Sequence, residues 1–291
     1  MSTATATKRF KRISAGERDL GENRWGASFW TTITWILTLG FFFPVFWMVI
    51  TGFKTEAQAS TDPPTLFFTP TFDQYNAIFE RDFLPFFINS AVATVVSILL
   101  VLLLAIPAAY ALSVRPVEKW QDALFFFIST RMFPVVGAIV PLFIIARNLQ
   151  LLDNLLTLIL LYTATNLPIA VWMLRSFFLE IPREVMEAAR VDGAGLRREL
   201  FRVVLPLVLP GIAATALICA IFSWNEFFYA VNLTSSTAAT VPVFLVGFIT
   251  SEGLFWARLS AASTMAALPV LLCGWIAQKQ LVRGLSMGAI K

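Results

Sequence analysis

The sequence predicts an all-α membrane protein with six transmembrane helices. Composition, run length and the placement of Lys and Arg carry that reading. Of 291 residues, 58% are hydrophobic and 14% charged, and the mean hydropathy is +0.75. So few polar side chains cannot cover a water-exposed surface. The apolar residues fall in six runs, 25–53, 86–112, 123–145, 155–174, 207–231 and 259–278; the third and fifth carry one charge each and the others none. A helix of about 20 residues crosses the hydrocarbon core, so each run is a span and the lipid bilayer is the first partner implied. With the N-terminus inside, the inward segments hold 17 Lys and Arg and the outward segments 4. The positive-inside rule therefore places both termini in the cytoplasm. The same bias accounts for the net charge of +4 without nucleic acid as a partner.

Segment 1–24 is polar, with Lys8, Arg9, Lys11 and Arg12 clustered; it reads either as a disordered inner anchor or as a partner-binding arm. The first span, 25–53, carries Trp25, Trp30, Trp35 and Trp47 as interface anchors and Pro44 as a possible kink. Segment 54–85 is outward and net acidic. Tyr75, Ile78 and Phe79 have helical spacing, which predicts a short amphipathic helix at the membrane surface. The region 86–282 holds the other five spans, and 283–291 is a short polar inner tail.

Two charges lie inside spans. A mid-bilayer Arg costs about 2.5–3.5 kcal/mol on insertion scales, so Arg131 must face protein or water. It either bonds a backbone carbonyl or lines a path or gate, and Pro134, Gly137 and Pro141 predict a broken helix beside it. Glu226 sits about 28 Å above Leu207, near the outer edge, too far along the bilayer for a bridge to Arg131. With Trp224 and Asn225 it suits the outer part of a path for a hydroxyl-rich solute, or is simply interfacial. Asn89 and Asn166 read either as bonds between helices or as path residues. The run 241–246 is too short to span and is expected to pack at the interface.

The most heavily charged interval between apolar blocks is 177–206. Pro182 suits a helix start, no breaker follows through residue 191, and Gly193 can take the positive φ that ends a helix. Asp192 is ill placed at a helix C-terminus and is expected to cap a second helix over 196–205, accepting from Ala194 or Gly195. Pro206 is expected to mark the turn back into the membrane. A short helix, a Gly turn and a second helix make a shaped polar surface suited to docking.

These residues resemble a known family. Glu187-Ala188-Ala189, Asp192-Gly193-Ala194, Leu205-Pro206 and Pro210 are similar to the EAA loop of permease subunits in bacterial ABC importers, specifically the maltose-type carbohydrate permeases. Asn89-Ser90, Ala109-Tyr110-Ala111-Leu112, Trp224-Asn225-Glu226-Phe227, Leu268-Pro269 and the tail around Gly284 extend the resemblance over roughly residues 85 to 291. It implies a type I ABC importer permease fold in the bacterial inner membrane, with Glu187, Ala188, Ala189, Asp192 and Gly193 contacting an ATPase. The implied partners are two ATPase subunits that hold ATP and Mg, a second and different permease chain, and an extracytoplasmic solute-binding protein. The implied substrate is a sugar or polyol, and this chain itself takes no cofactor.

Two other classes fit the sequence less well. An ion-coupled secondary transporter usually pairs ionisable groups near the midplane, and here Arg131 has no carboxylate beside it in sequence. A membrane enzyme needs a catalytic cluster, and the chain has no His and no clustered acids. It also lacks a P-loop, so ATP hydrolysis in that manner belongs elsewhere.

Overall fold

The computed structural model describes residues 24–115, 117–251 and 253–287. The sequence-predicted tails 1–24 and 283–291 lie largely outside these residues. Among the described residues, five helices are long and apolar enough to cross a membrane: Ser28–Thr51, Phe83–Ala111, Leu155–Leu179, Leu196–Trp224 and Trp256–Gln278. The expected third span is a bent pair, Trp120–Met132 and Val135–Asn148, turning by 90°. Pro134 sits at the break with extended backbone, and its missing N–H leaves no hydrogen bond to hold the helix across that point.

The chain forms two units, residues 1–47 and 48–291. The described part of the first is most of helix Arg24–Thr51. Its apolar side chains, among them Phe29, Trp35 and Phe41, are exposed, as lipid-facing groups are. Thr32, Thr34 and Thr38 each donate to the carbonyl four residues earlier, so their hydroxyls are satisfied within the helix.

In the second unit, small residues let helices approach closely. Ala105, Ala109 and Ala170 are fully buried among Val101, Val171 and Leu174, where the second and fourth spans meet. Gly211 of the fifth span lies directly against the Phe177 ring of the fourth. Polar side chains add bonds: Asn166 donates to the Ser223 hydroxyl at 3.0 Å, and Ser223 lies 3.3 Å from Ser97. Cys219 is buried and Cys273 exposed, both unpaired.

The end of this unit away from the Glu187 loop is closed by short helices. Asp73–Glu80 appears where Tyr75, Ile78 and Phe79 predicted it; Ile78 is buried while Phe79 stays exposed. Val241–Val246 packs Phe244 against Phe83 and Phe86. A minor departure from all-α structure is the two-residue pair Ile249–Thr250 with Gly253–Leu254.

The fifth span differs from its expected bounds at both ends. Helix is continuous from Leu196, passing through a π-helical stretch, Glu199–Val204, into Leu205–Trp224. Pro206 marks no turn, because it falls at the first positions after the π stretch, where its missing N–H is tolerated. At the other end the helix stops at Trp224 and restarts as Phe228–Leu233.

Candidate functional site

The loop helix is Arg183–Val191, with Pro182 at its N-cap. Met186 and Ala189 are buried on its inner face, while Glu187, Ala188 and Arg190 are exposed. Of the two alanines expected to meet a partner, therefore, only Ala188 lies on the outer face. The helix ends in a Schellman arrangement: Gly193 takes φ +73°, its N–H donates to the Arg190 carbonyl, and the Ala194 N–H donates to the Ala189 carbonyl, both at 3.0 Å. Asp192 does not cap the next helix as expected. Its carboxylate takes no hydrogen bond among the described residues, and Gly195 occupies that N-cap without a side-chain bond. Val191 is 87% exposed, an apolar side chain left uncovered beside Glu187.

The loop is tied to the bundle by a residue that sequence reasoning passed over. Glu199 is 0% exposed, and its carboxylate accepts the Tyr110 hydroxyl at 2.7 Å and the Arg115 guanidinium at 2.7 Å. Arg190 adds longer contacts at 3.4 and 3.5 Å. The available signal was weak: a lone Glu after Arg197 and Arg198 in a loop, with main partners more than 80 positions away.

The residues singled out inside the spans do not converge on one site. Arg131 donates to the Thr165 carbonyl at 3.2 Å and lies over the Phe222 ring at 5.3 Å, so it links the broken third span to the fourth and fifth while remaining exposed. Asn89 donates to the carbonyls of Thr237 and Ala239 at 2.9 and 3.0 Å. Asn166 is buried against Ser223. Trp224 is buried, donating its indole N–H to the Ala266 carbonyl at 3.1 Å with its ring against Phe87. Glu226 accepts the N–H groups of Tyr229 and Ala230 at 2.8 and 3.3 Å, which caps the helix Phe228–Leu233. Asn225 is exposed and shares a hollow with Trp224, Val241, Pro242 and Ser263.

Asp153, also unnoticed in sequence, organises the loop that joins the short helices. Its carboxylate accepts the backbone N–H groups of Ser235, Ser236, Thr237 and Ala238 at 2.9–3.2 Å, and both serine hydroxyls. Burial alone pushes this carboxyl up. The N–H groups of Ser235, Ala238 and Thr237 and the Ser235 hydroxyl outweigh that and hold it well below the ordinary carboxylate range.

Comparison with known proteins bears on this geometry. Residues 101–286 match the family described as "Binding-protein-dependent transport system inner membrane component". A probable ABC transporter permease protein of Sinorhizobium fredii is 37% identical over 90% of this chain and 95% of its own. A sulfoquinovosyl glycerol transport system permease protein of Agrobacterium fabrum is 36% identical over 88% and 91%. A trehalose transport system permease protein of Mycobacterium tuberculosis is 30% identical over 91% and 98%. Among solved structures, a bacterial ABC transporter involved in import of the acidic polysaccharide alginate superposes with a TM-score of 0.72 at 24% identity, covering 89% of this chain and 97% of that one. The bent third span and the pinned loop helix thus occur on a fold shared with importer permeases. The chain belongs to the family of binding-protein-dependent transport system inner membrane components, the permease subunits of ABC importers.

Proposed function

We propose that this permease carries a sugar or polyol across the bacterial inner membrane and that helix Arg183–Val191 is its docking point for an ATPase. The observation that carries the reading is the outer face of that helix. Glu187, Ala188 and the 87% exposed Val191 form a mixed charged and apolar surface on a rigidly ended helix, in the form a partner cleft would hold. Two ATPase subunits would supply ATP and Mg, since no P-loop occurs in this sequence. A second, different permease chain would complete the path, and an extracytoplasmic binding protein would deliver the solute. Both termini and the loop helix would lie in the cytoplasm, as the Lys and Arg distribution favours. The carbohydrate class is supported by the glycosides named for the Agrobacterium and Mycobacterium relatives.

Arg131 and Asn225 are the exposed polar side chains of the path set, so they would meet solute directly. Asn89, Asn166, Trp224 and Glu226 would shape the walls through the bonds described above. Coupling requires that open and closed ATPases hold the loop helix with different affinity, since only a difference can reorient the spans.

The test is ATP hydrolysis by the reconstituted complex, with its binding protein, across a panel of sugars and polyols. Stimulation by one ligand establishes the coupled importer and names its substrate. Absence of stimulation by every ligand, from an assembled complex, would sink the carbohydrate assignment.

A further inference from the structure

The loop helix reaches the spans through the chain in two places, at Ile181-Pro182 and at Gly193. Gly193 has positive φ, and a Cβ built on it would meet nothing within 4 Å, so two backbone hydrogen bonds fix the turn itself while no side chain braces it against the spans. A helix joined to the spans only through such a turn would move as a body when pulled. Two contacts oppose that. Met186 is buried in the core cluster with Tyr110, Phe178 and Val204. Glu199 lies just beyond the turn, and its bonds to Arg190 cross back over it.

Glu199 also reaches the second span. Tyr110 lies in that span's last turn and Arg115 just past it, and each places a donor 2.7 Å from one carboxylate oxygen. One carboxylate thus joins three pieces of chain: the second span's end, the loop helix and the start of the fifth span. It is completely buried, whereas the Arg115 and Arg190 side chains are 40% and 44% exposed. The arginines keep part of their hydration, while a buried carboxylate deprived of partners has nothing else to bind. The π-helical stretch begins at this same residue, a local irregularity of a kind often found at functional positions.

We infer that Glu199 is a positioning residue for coupling: it locks the loop helix to the second and fifth spans, so that movement of the helix becomes movement of both. The inference rests on the proposed docking of Arg183–Val191 to an ATPase. Glu199 would act from beneath the docking face and touch neither nucleotide nor solute.

The experiment compares wild type with Glu199→Gln in the reconstituted complex, measuring solute transported per ATP hydrolysed. Glutamine keeps the shape and removes the charge that holds both arginines. The variant should assemble and hydrolyse ATP while the transport ratio falls several-fold. Spin labels at Glu184 and Ser113 should keep one separation through the nucleotide cycle in wild type and show a broadened one in the variant. An unchanged ratio with an unchanged separation overturns the assignment. Should Glu199→Gln fail to assemble, Arg115→Gln on a part-exposed side chain carries the same test, and full coupling there overturns it. ATP-independent uptake by wild type would instead refute the underlying importer reading.

Discussion

Glu56 and Ala257 are joined across 201 positions of sequence: the Glu56 carboxylate accepts the Ala257 N–H at 3.0 Å, and the adjacent Arg258 N–H at the same distance. These are unpaired donors of the first turn of helix Trp256–Met287, so a side chain from the 54–85 segment caps the last span. Loss of such a cap costs about 0.5–2 kcal/mol. Glu56→Ala should lower the thermal midpoint of the detergent-solubilised protein by a few degrees. Glu56→Gln, whose amide oxygen still accepts, should lower it less.

Asp153 gives a pH signature. Its folded-state affinity for protons is depressed, so its stabilising effect is fully present above the unfolded carboxyl range near pH 4 and is lost as pH falls through the lower folded value. Asp153→Asn should therefore be less stable than wild type at pH 7, with the gap narrowing as the pH is lowered through and below 4. Thermal unfolding of both proteins along that series would show it; a constant gap would count against the carboxylate as the organising group.

Gly211 is the steric test of the fourth and fifth spans. A methyl there collides with the Phe177 ring, so Gly211→Ala should destabilise by about 1–3 kcal/mol, the range for overpacking. Gly274, in the last span, has open space around it. Gly274→Ala should be neutral or gain up to about 1 kcal/mol of helix propensity. Unfolding of the two variants side by side separates packing from propensity.

Glu187→Lys reverses a charge on the outer face of the loop helix without touching the core. Transport should fall on the order of tenfold, the effect of losing about 1.4 kcal/mol of docking, while the folded permease is retained. Uptake assays beside a measure of folded protein decide it, and normal transport would remove Glu187 from the docking surface.

Features set by neighbouring residues were legible in the sequence. Pro182 and Gly193 bracket the loop helix as read, and Pro134 breaks the third span beside Arg131. Features set by distant partners were not. Asp192 looked like a cap for the next helix, yet that helix starts further on, with Gly195 at its N-cap and no side-chain bond. Glu199 and Asp153 went unnoticed, because each organises backbone or guanidinium groups that only the folded chain brings near. Glu226 caps a helix through N–H groups three and four residues on, a local bond. Pro206 shows the converse: a strong local breaker is passed because the preceding π turn leaves its missing N–H unneeded.

The right-angle break in the third span bears on biogenesis. Its halves have 13 and 14 residues, about 20 and 21 Å of helix, and the hydrocarbon layer is about 30 Å thick. Neither half is a complete insertion unit, and the carbonyls freed at the bend need protein or water as a neighbour. Arg131 at that bend is held by Thr165 and Phe222, which emerge from the ribosome later. Residues 120–148 therefore reach their folded contacts only once the fourth and fifth spans are present, so this part of the membrane domain is completed after synthesis has passed it.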